Sequence, residues 1–450
     1  MKTKVIAMAH GPYAIAKEDG VIFIENACPG DELELEIYDQ RKDFAYAHII
    51  ELLEASELRA PEPPCKIHKI CGSCQWQHIQ YDEQLKFKQQ NLTDLIPGVE
   101  TPAIVGMDEP WNFRNKITYP VEVVGKTGRV KAGYFKRNSN ELINVKHCPI
   151  QYSIFDEIMD ALKEQMSTRG YPDKLIRHIM LRSNIDQSEI LLCVVLRESM
   201  LDKEFRNKLR VDLNKIQEKF PQIVTTSINY NDLSTNVILG QKTEVHNGPG
   251  YITETFGGIK LEISTTSFFQ VNTKQFLKIV EQIKSAILRT LSEEKGTSGS
   301  HKLLDLYCGI GTISLSLAKA IPELDITGIE LVESAVENAK KNAEINQIST
   351  AKFIHGKVED LASPEPSAQS PQPYDIVIVN PPRKGCTNKV LNDLGQLKFK
   401  QLIYVSCNPS TLARDAKHLE QFGFKIQSLQ GFDMFPHSFH FETLAVLTRE

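Results

Sequence analysis

The stretch that decides the fold of the carboxyl-terminal part is KLLDLYCGIGTISLSLAKA, residues 302–320. It begins as an apolar strand, continues through a turn that contains Gly309 and Gly311, and becomes helical near Thr312. Glycines in such a turn let the backbone approach a ligand closely at the carboxyl edge of a sheet. The stretch therefore predicts a strand, a ligand-binding turn and a helix.

The spacing of this turn favours a ligand without phosphates. From Asp305 it is D-x-x-x-G-x-G, so the third glycine of a pyrophosphate-binding loop is missing. Glu330 ends the next predicted strand, where an acidic side chain can accept hydrogen bonds from ribose hydroxyls. S-adenosylmethionine has a ribose and no phosphate, and it fits both features. We therefore expect Gly309, Gly311 and Glu330 to bind this methyl donor.

Short apolar segments and helical segments alternate from residue 302 onwards. The predicted strands are LLDLY, DITGIE, AKFIHG, YDIVIVN and QLIYVSC, which begin at residues 303, 325, 351, 374 and 401. This alternation is typical of a doubly wound parallel sheet, so we expect a Rossmann-like methyltransferase domain over 271–450. Residues 361–373 are rich in Pro and Ser, and they are predicted to form a surface loop.

The motif Asn380-Pro-Pro-Arg-Lys-Gly385 follows the fourth of these strands, again at the edge where ligands bind. Many amino-methyltransferases have Asn-Pro-Pro and then an aromatic residue here, and they use the Asn to hold an exocyclic amine. Arg383 replaces the aromatic residue in this chain. An N-methyltransferase is therefore an alternative, which Arg383 makes weaker.

Cys407 follows the fifth strand and is predicted to face the same edge as the donor turn. Uracil C5 is a poor nucleophile, but a thiolate that adds to C6 turns the ring into an enolate whose C5 can attack a methyl group. The C5 proton must then be removed by a base. Glu442 ends the segment FPHSFHFE, and partial burial can raise the pKa of a carboxyl group towards the working pH. We therefore predict Cys407 as the nucleophile and Glu442 as the base.

Four other cysteines indicate a metal centre. Cys65, Cys71 and Cys74 are closely spaced, and Cys148 precedes a proline much further along the chain. Disulfides are disfavoured in a cytosolic protein, and structural zinc usually takes two C-x-x-C pairs, of which only one is present. We therefore expect a [4Fe–4S] cluster, with zinc as the alternative. Four further cysteines are interpreted as core residues, namely Cys28, Cys193, Cys308 and Cys386.

The amino-terminal part divides into two predicted domains. Residues 1–58 alternate apolar and polar positions between turn signals, which predicts a small OB-like antiparallel β-barrel. Prolines then predict a linker, and 59–270 is interpreted as a central α+β domain that carries the cluster at 65–148. The elements predicted after the barrel are a helix near 79–95, a basic hairpin region near 113–146, strands at 175–182, 190–196 and 236–239, a helix near 273–290 and a linker at 292–301.

The composition is that of a globular protein, with 41% hydrophobic and 24% charged residues. No apolar run approaches the roughly 20 residues that span a bilayer, and the start does not look like a signal peptide. We therefore expect a cytoplasmic location without membrane contact or an obligate protein partner. The net charge is −5, but 111–148 has eight basic and two acidic residues, a net of +6. This favours RNA contact through Arg114, Lys116 and Arg137, although a solvated hairpin explains the charges equally well.

Together, these motifs resemble those of RNA (uracil-5-)methyltransferases that carry a TRAM domain at the amino terminus and an iron–sulphur cluster. The resemblance covers nearly the whole chain. The motifs that carry it are P-x-C-x5-C-G-x-C at 63–74, F-R-N-K at 113–116, S-F-F-Q-V-N at 267–272, D-L-Y-C-G-I-G at 305–311, N-P-P-R-K-G at 380–385, S-C-N-P-S-T at 406–411 and F-P-H…E-T at 435–443. One departure is Asn380, where the family usually has Asp.

The resemblance implies roles for particular residues and a class of substrate. The donor contacts that it implies are Gln270, Tyr307, Glu330 and the residue at 380. It also implies that Cys407 is the nucleophile and Glu442 the base, in agreement with the prediction made above from their surroundings. It further implies that the Phe268 ring stacks on RNA. The TRAM domain and the four cysteines together favour 23S ribosomal RNA as the substrate, with transfer RNA as the alternative. A catalytically silent RNA-binding protein is the alternative from another class, and the presence of Cys407 and Glu442 argues against it.

Overall fold

The amino-terminal strands form a closed barrel. The computed structural model describes residues 1–125, 127–293, 300–360 and 374–449. The barrel strands are β1 (Lys2–Met8), β2 (Ala14–Lys17), β3 (Val21–Ile24), β4 (Glu32–Gln40) and β5 (Phe44–Glu54). They are hydrogen-bonded in the order β1-β2-β3-β5-β4. Because side chains alternate across a strand, Val5, Ile22, Ile24 and Leu33 fill the interior. The predicted amino-terminal barrel is confirmed, but it is not wholly antiparallel, because β3 and β5 pair in parallel.

A seven-stranded sheet forms the middle of the chain. The elements from the barrel to its end are α1 (Tyr81–Leu95), β6 (Lys116–Val124), β7 (Arg129–Phe135), β8 (Leu142–Asn144), α2 (Ser153–Arg169), β9 (Ile176–Ser183), β10 (Ile190–Leu196), α3 (Lys203–Lys219), β11 (Ile223–Tyr230) and β12 (Lys242–Asn247). The strand order is β12-β11-β10-β9-β6-β7-β8. Apolar residues of α2 and α3 pack with those of β9 and β10 in one core.

One strand prediction in this region is wrong. Residues 236–239 are irregular, and the strand that pairs with β11 is Lys242–Asn247 instead. Asn231 Nδ2 donates hydrogen bonds to the carbonyls of Val237 and Ile238. The Asn231 side chain therefore satisfies these carbonyls without a neighbouring strand. A run of apolar residues in the sequence does not reveal such a side-chain interaction.

A hairpin and a long helix connect the middle sheet to the last domain. They are β13 (Tyr251–Phe256), β14 (Ile259–Ser264) and α4 (Thr273–Glu293). Phe256, Ile263 and Ile283 from these elements share one core with Cys193 of the middle sheet and with apolar residues of the carboxyl-terminal sheet. The helix predicted near 273–290 is confirmed, whereas most of the linker predicted at 292–301 lies outside the described residues.

The carboxyl-terminal part is a second seven-stranded sheet with helices between its strands. Its elements are β15 (His301–Leu306), α5 (Thr312–Ala320), β16 (Leu324–Glu330), α6 (Glu333–Ile345), β17 (Ala351–His355), β18 (Ile376–Val379), α7 (Asn388–Gln396), β19 (Gln401–Ser406), α8 (Pro409–Leu419), β20 (Phe424–Phe432) and β21 (Glu442–Arg449). The order is β17-β16-β15-β18-β19-β21-β20. The first five strands of this order run parallel, while β21 pairs antiparallel with β19 and β20.

The predicted alternation of strands and helices from residue 302 is thereby confirmed, and it places the candidate site. Asp305, Glu330, Asn380 and Cys407 all lie at or just beyond the carboxyl end of a parallel strand, and these ends meet at one edge of the sheet. The loop predicted at 361–373 lies outside the described residues. Over the described ranges, none of the helices combines the length and apolarity needed to cross a membrane.

The segment between the barrel and the middle sheet packs largely on the last domain. Leu92 of α1 shares a core with Leu304 and Leu306 of β15, and α1 contacts α8 and β20. The domain boundaries at 58 and 270 stay predictions. The packing shows that the helix inside the predicted central domain supports the edge where the candidate site lies.

Candidate active site

The turn after β15 has a backbone conformation that few residues tolerate. Tyr307, Gly309 and Gly311 have φ angles of 63°, 57° and 79°, in the left-handed region that glycine occupies most readily. A Cβ on Gly311 would lie 2.7 Å from the ring of Phe353, whereas a Cβ on Gly309 would meet nothing within 4 Å. Packing therefore requires glycine at 311, and the strained Tyr307 is the kind of outlier found at ligand sites.

The carboxylate of Glu330 holds this turn from the end of the neighbouring strand. Its Oε2 accepts a hydrogen bond from the Gly309 N–H at 3.1 Å, and its Oε1 accepts one from the Val332 N–H at 2.9 Å. Leu331 and Val332 are apolar but exposed by 56% and 52%. An acid with spare acceptor capacity thus lies beside an apolar surface, a combination that suits a ribose joined to a flat base.

Asp305 lies fully buried beneath the turn. Its Oδ2 accepts a hydrogen bond from the Ser314 hydroxyl at 2.6 Å, while its Oδ1 has no partner in the described part of the chain. Burial raises the pKa of Asp305 to about 7, and the nearby Glu330 carboxylate adds to the rise. A cationic ligand above the turn would favour the charged form of this carboxyl group.

Antiparallel pairing brings Cys407 and Glu442 together. Ser406 at the end of β19 pairs with Thr443 of β21, so Cys407 and Glu442 are the next residues along the same ladder. Cys407 is partly exposed, whereas Glu442 is 3% exposed. The two residues predicted to be catalytic therefore lie side by side, at the edge of the sheet that carries the donor turn.

Burial and Arg383 set the charge of both groups. Desolvation raises the pKa of Glu442 to about 8, and the Arg383 guanidinium opposes the rise. The Glu442 Oε2 has no hydrogen-bond partner among the described residues. Desolvation and the Glu442 carboxylate raise the pKa of Cys407, and Arg383 again lowers it. Arg383, from the motif after β18, therefore favours the thiolate and the carboxylate that base-assisted nucleophilic chemistry needs.

The two histidines of the segment before Glu442 have different surroundings. The ring of His437 stacks on Trp111, with centroids 3.6 Å apart, and its Nε2 lies 3.1 Å from the Pro110 carbonyl oxygen. Burial lowers the pKa of His437 to about 3 and that of His440 to about 4, so both are neutral at physiological pH. His437 fixes the segment, whereas His440 lines a cavity beside Cys407.

The segment 267–272 lies between the middle sheet and the edge of the carboxyl-terminal sheet that carries the turn after β15. Asn115 Nδ2 donates to the Gln270 carbonyl at 2.9 Å, and the buried Arg182 donates to the Ser267 carbonyl at 2.7 Å. Gln270 is 8% exposed and Phe268 is 67% exposed. The middle sheet thus fixes the backbone of the segment, while the Phe268 ring is available for stacking.

Arg137 has contacts within the chain that the basic stretch does not reveal. Its Nη1 donates to Asn26 Oδ1 of the barrel, and its Nη2 donates to the carbonyls of His68 and Cys74. The side chain is 9% exposed and lies 3.6 Å from the Glu25 carboxylate, while its Nε has no partner among the described residues. Arg137 therefore joins the barrel to the cysteine-bearing segment, and its contact with RNA stays a prediction.

The other two predicted RNA contacts lie on and beside β6. Arg114 and Lys116 are both partly exposed. Lys116 pairs with Arg182 of β9, and burial together with Arg182 lowers the pKa of Lys116 to about 7. This ammonium group therefore has cations rather than a carboxylate as its charged neighbours.

The four cysteines predicted as metal ligands are all buried and line one small enclosed cavity. The chain thus brings Cys148 to the three closely spaced cysteines. Across the described ranges, no group of three or more His, Cys, Asp or Glu side chains is arranged to hold a metal ion. The cysteines therefore share a space without forming a single-ion site.

A cavity of about 210 Å³ opens beside Cys407. Its walls come from the barrel, α1 and the two active-site segments, and include His10, Asn91, Leu95, Arg383, Phe439 and His440. The sequence did not identify His10 or Asn91, because both are far from Cys407 along the chain. The only local signal was a polar residue, Asn91, beside the buried Leu92 of an amphipathic helix.

Comparison with known proteins agrees with this geometry. The family model described as tRNA (Uracil-5-)-methyltransferase matches residues 80–450. An uncharacterised RNA methyltransferase of Halalkalibacterium halodurans is 35% identical, over 98% of this chain and 95% of its own length, and one of Bacillus cereus is also 35% identical with the same coverage.

A solved structure extends the likeness to the whole fold. It is that of a Pyrococcus abyssi tRNA (uracil-54, C5)-methyltransferase in complex with S-adenosyl-L-homocysteine, with a TM-score of 0.75, 24% identity and complete coverage of both chains. The chain therefore belongs to the tRNA (uracil-5-)-methyltransferase family and is an S-adenosylmethionine-dependent RNA (uracil-5-)-methyltransferase.

Proposed function

We propose that the enzyme methylates C5 of a uridine in structured RNA with Cys407 as the nucleophile and Glu442 as the base. The observation that carries this proposal is the β19–β21 pairing, which sets the thiol next to a buried carboxyl group at the donor edge. Arg383 is close enough to lower the pKa of both groups.

The chemistry assigns one task to each group. The Cys407 thiolate adds to C6, and the electron pair of the C5–C6 bond moves into the ring towards O4. The enolate electron pair then forms a bond from C5 to the methyl group on the donor's positively charged sulphur, and that sulphur keeps the electrons of the broken S–CH3 bond and leaves as the neutral thioether of S-adenosylhomocysteine. The Glu442 carboxylate then removes the C5 proton. The electrons of that C–H bond restore the double bond between C5 and C6, and Cys407 leaves C6 as a thiolate. Glu442 finally releases its proton to solvent.

The donor would lie over the turn after β15, in a Rossmann-like domain. The residues proposed to hold it are Gln270, Tyr307, Gly309, Gly311, Glu330 and Asn380. Glu330 has exposed apolar neighbours for the base and acceptor capacity for the ribose. Asn380 follows β18 and carries an amide where the family usually has a carboxylate, so its hydrogen bonds to donor or uracil carry no negative charge.

The proposed RNA is 23S ribosomal RNA, with transfer RNA as the second candidate. The TRAM-like barrel and the four-cysteine segment favour ribosomal RNA, whereas the Pyrococcus abyssi structure, similar over its whole length, is that of a tRNA enzyme. Arg114, Lys116 and the exposed ring of Phe268 are the proposed RNA contacts. A cytoplasmic location belongs to the same proposal.

We further propose that Cys65, Cys71, Cys74 and Cys148 hold a [4Fe–4S] cluster. The four cysteines are buried and line one small enclosed cavity. Three closely spaced cysteines with a distant fourth before a proline resemble iron–sulphur ligation. The reaction transfers no electrons, so the cluster would serve folding or RNA docking. Anaerobically purified protein should contain iron and sulphide near four per chain, and zinc without iron would overturn the assignment.

The test of function is to map 5-methyluridine in ribosomal and transfer RNA from cells with and without the gene. Loss of one 5-methyluridine should identify the RNA, and the wild-type gene should restore it while Cys407→Ala does not. An N-methylated base lost from the deletion strain, or full methylation by Cys407→Ala, would refute the covalent mechanism. No change in any methylated nucleotide would favour a silent RNA-binding protein.

A further inference from the structure

The cavity beside Cys407 contains a buried polar group with nothing to bond. Asn91 of α1 lines this cavity and is 8% exposed. Its Oδ1 is shielded from solvent and has no hydrogen-bond partner among the described residues. Buried amide oxygens are nearly always paired, because an unpaired one has lost its bonds to water without replacement. Rotation about χ2, which is soft in Asn, turns either polar atom of the amide towards the cavity.

The other polar side chains around the cavity differ from Asn91 in partners or exposure. His10 of the barrel lies 3.2 Å from the Asp94 carboxylate. The Asn408 amide donates to the Arg383 carbonyl and accepts from the Ser410 N–H, and Ser410 is exposed. The His440 ring packs on Phe439 with centroids 3.9 Å apart. Among the polar side chains of this lining, Asn91 is therefore the one with a buried oxygen that has no hydrogen bond within the described residues.

The size and walls of the cavity suit one nucleobase. Its 210 Å³ is the volume of roughly seven waters at about 30 Å³ each, and a pyrimidine base has eight non-hydrogen atoms. Phe439 and Phe441 supply flat apolar walls, and Cys407 lies in the lining. A base that enters far enough for its C6 to meet the thiol turns its N3 edge away from Cys407, towards the wall that α1 forms.

Resting on the proposed function, we propose that Asn91 recognises the target uracil. Its Oδ1 accepts a hydrogen bond from the uracil N3–H, and its Nδ2 donates one to an adjacent ring carbonyl. Recognition of this edge is how proteins identify a base that has been taken out of a helix. This orientation of the amide fits the protonated N3 of uracil, whereas the unprotonated N3 of cytosine would require the amide to turn over.

The experiment compares Asn91→Ala with a matched control, Thr93→Ala, which shortens an exposed polar side chain on the same helix but outside the cavity wall. The substrates are an RNA hairpin that carries the mapped uridine and the same hairpin with 3-methyluridine, which has no N3–H. We expect Asn91→Ala to lower kcat/KM on the uridine hairpin by about 10- to 100-fold, the effect of losing a paired base contact. Thr93→Ala should stay within about threefold of wild type.

The modified hairpin separates recognition from a merely structural effect. Wild type should discriminate against 3-methyluridine, whereas Asn91→Ala should methylate both hairpins with similar kcat/KM, and both proteins should bind the donor equally. Asn91→Asp keeps an acceptor for N3–H and should keep the discrimination. Wild-type kcat/KM in Asn91→Ala, or wild-type discrimination in that variant, would refute this inference alone. Absence of 5-methyluridine from the wild-type reaction would instead refute the proposed function.

Discussion

The side-chain nitrogen of Lys88 lies 2.6 Å from Oδ1 of Asp433, and both side chains are completely buried. Tyr81 donates its hydroxyl hydrogen to the other oxygen of Asp433 at 2.7 Å. Lys88 and Tyr81 belong to α1, whereas Asp433 follows β20, whose last residue pairs with Glu442. The ion pair therefore ties α1 to the start of the segment that leads to the base.

Replacement of Lys88 by Met should destabilise the protein and slow the reaction. It leaves a buried Asp433 carboxylate without its cation, which typically costs about 3–5 kcal/mol. The midpoint of urea unfolding should fall, and kcat should fall because the segment before Glu442 loses its anchor. Lys86→Met is the matched control, since Lys86 on the same helix forms an exposed ion pair with Glu83, and it should leave both quantities unchanged. An unchanged midpoint for Lys88→Met would contradict this account.

The single-turnover rate should rise with pH from about pH 6 through pH 8, and it should keep rising above pH 8 because the pKa of the Cys407 thiol is also raised. Glu442 must be ionised to remove the C5 proton, and burial raises its pKa to about 8. Below that pH the ionised fraction changes about tenfold per pH unit. The raised pKa of Cys407 acts in the same direction, because the thiolate is the nucleophile. A rate that is flat between pH 6 and 8 would mean that neither ionisation limits the reaction.

Arg383→Met should move this pH profile to higher pH. The guanidinium lowers the pKa of both Cys407 and Glu442, so its removal lets both values rise. Lys384→Met is the control, because Lys384 is the adjacent exposed residue and is not among the groups that shift either pKa. Rates measured over the same pH range for both variants should differ in midpoint. Equal midpoints would show that Arg383 acts on neither group.

Glu442→Gln should make the fold relatively more stable at alkaline pH while it blocks turnover. An unfolded glutamate has a pKa of about 4.3, and the folded value is about 8, so the folded state holds the extra proton between these values. Wild-type stability therefore falls as pH rises through this window, by about 5 kcal/mol at most. The variant lacks this loss. Urea unfolding at pH 5.5 and 8.5 measures the difference, and exposed Glu344→Gln, the control, should behave like wild type.

Local patterns in the sequence were sufficient for the carboxyl-terminal sheet. The strand–turn–helix around Asp305 and Gly311 depends on residues that are neighbours in the chain, and so do the barrel and the helix at 273–290. The mistaken strand at 236–239 shows the limit of this approach, because the Asn231 side chain satisfies those carbonyls. A run of apolar residues predicts a strand only when no side chain competes for the backbone hydrogen bonds.

The candidate site was predictable only in part, for the same reason. Cys407 was predicted from its position after a parallel strand, and Glu442 from the chemistry that a base needs and from the family resemblance. The antiparallel pairing of β19 with β21, which brings the two residues together, was not predicted. Asn91 reaches the cavity through packing of α1 on the last domain, which no local pattern encodes. The contacts of Arg137 with Asn26 and backbone carbonyls could not be predicted either, because a count of charges does not reveal the partners of a side chain.

Gly311→Ala should destabilise the protein more than Gly309→Ala. Both positions have positive φ angles, so alanine costs about 1 kcal/mol or more in backbone strain at either one. At Gly311 the added Cβ also meets the Phe353 ring at 2.7 Å, whereas at Gly309 it meets nothing within 4 Å. Overpacking of this kind adds about 1–3 kcal/mol. Urea unfolding without donor should therefore rank the two variants, with Gly311→Ala the less stable.

A second substitution separates the clash from the strain. Phe353→Leu leaves room beside residue 311, so the double variant Gly311→Ala, Phe353→Leu should lose less stability than the sum of the two single changes, because the two residues are in contact. Paired with Gly309→Ala, Phe353→Leu should give additive losses. Additive losses for the Gly311 pair as well would show that backbone strain alone makes glycine necessary at the donor turn, and that the packing of Phe353 contributes nothing to it.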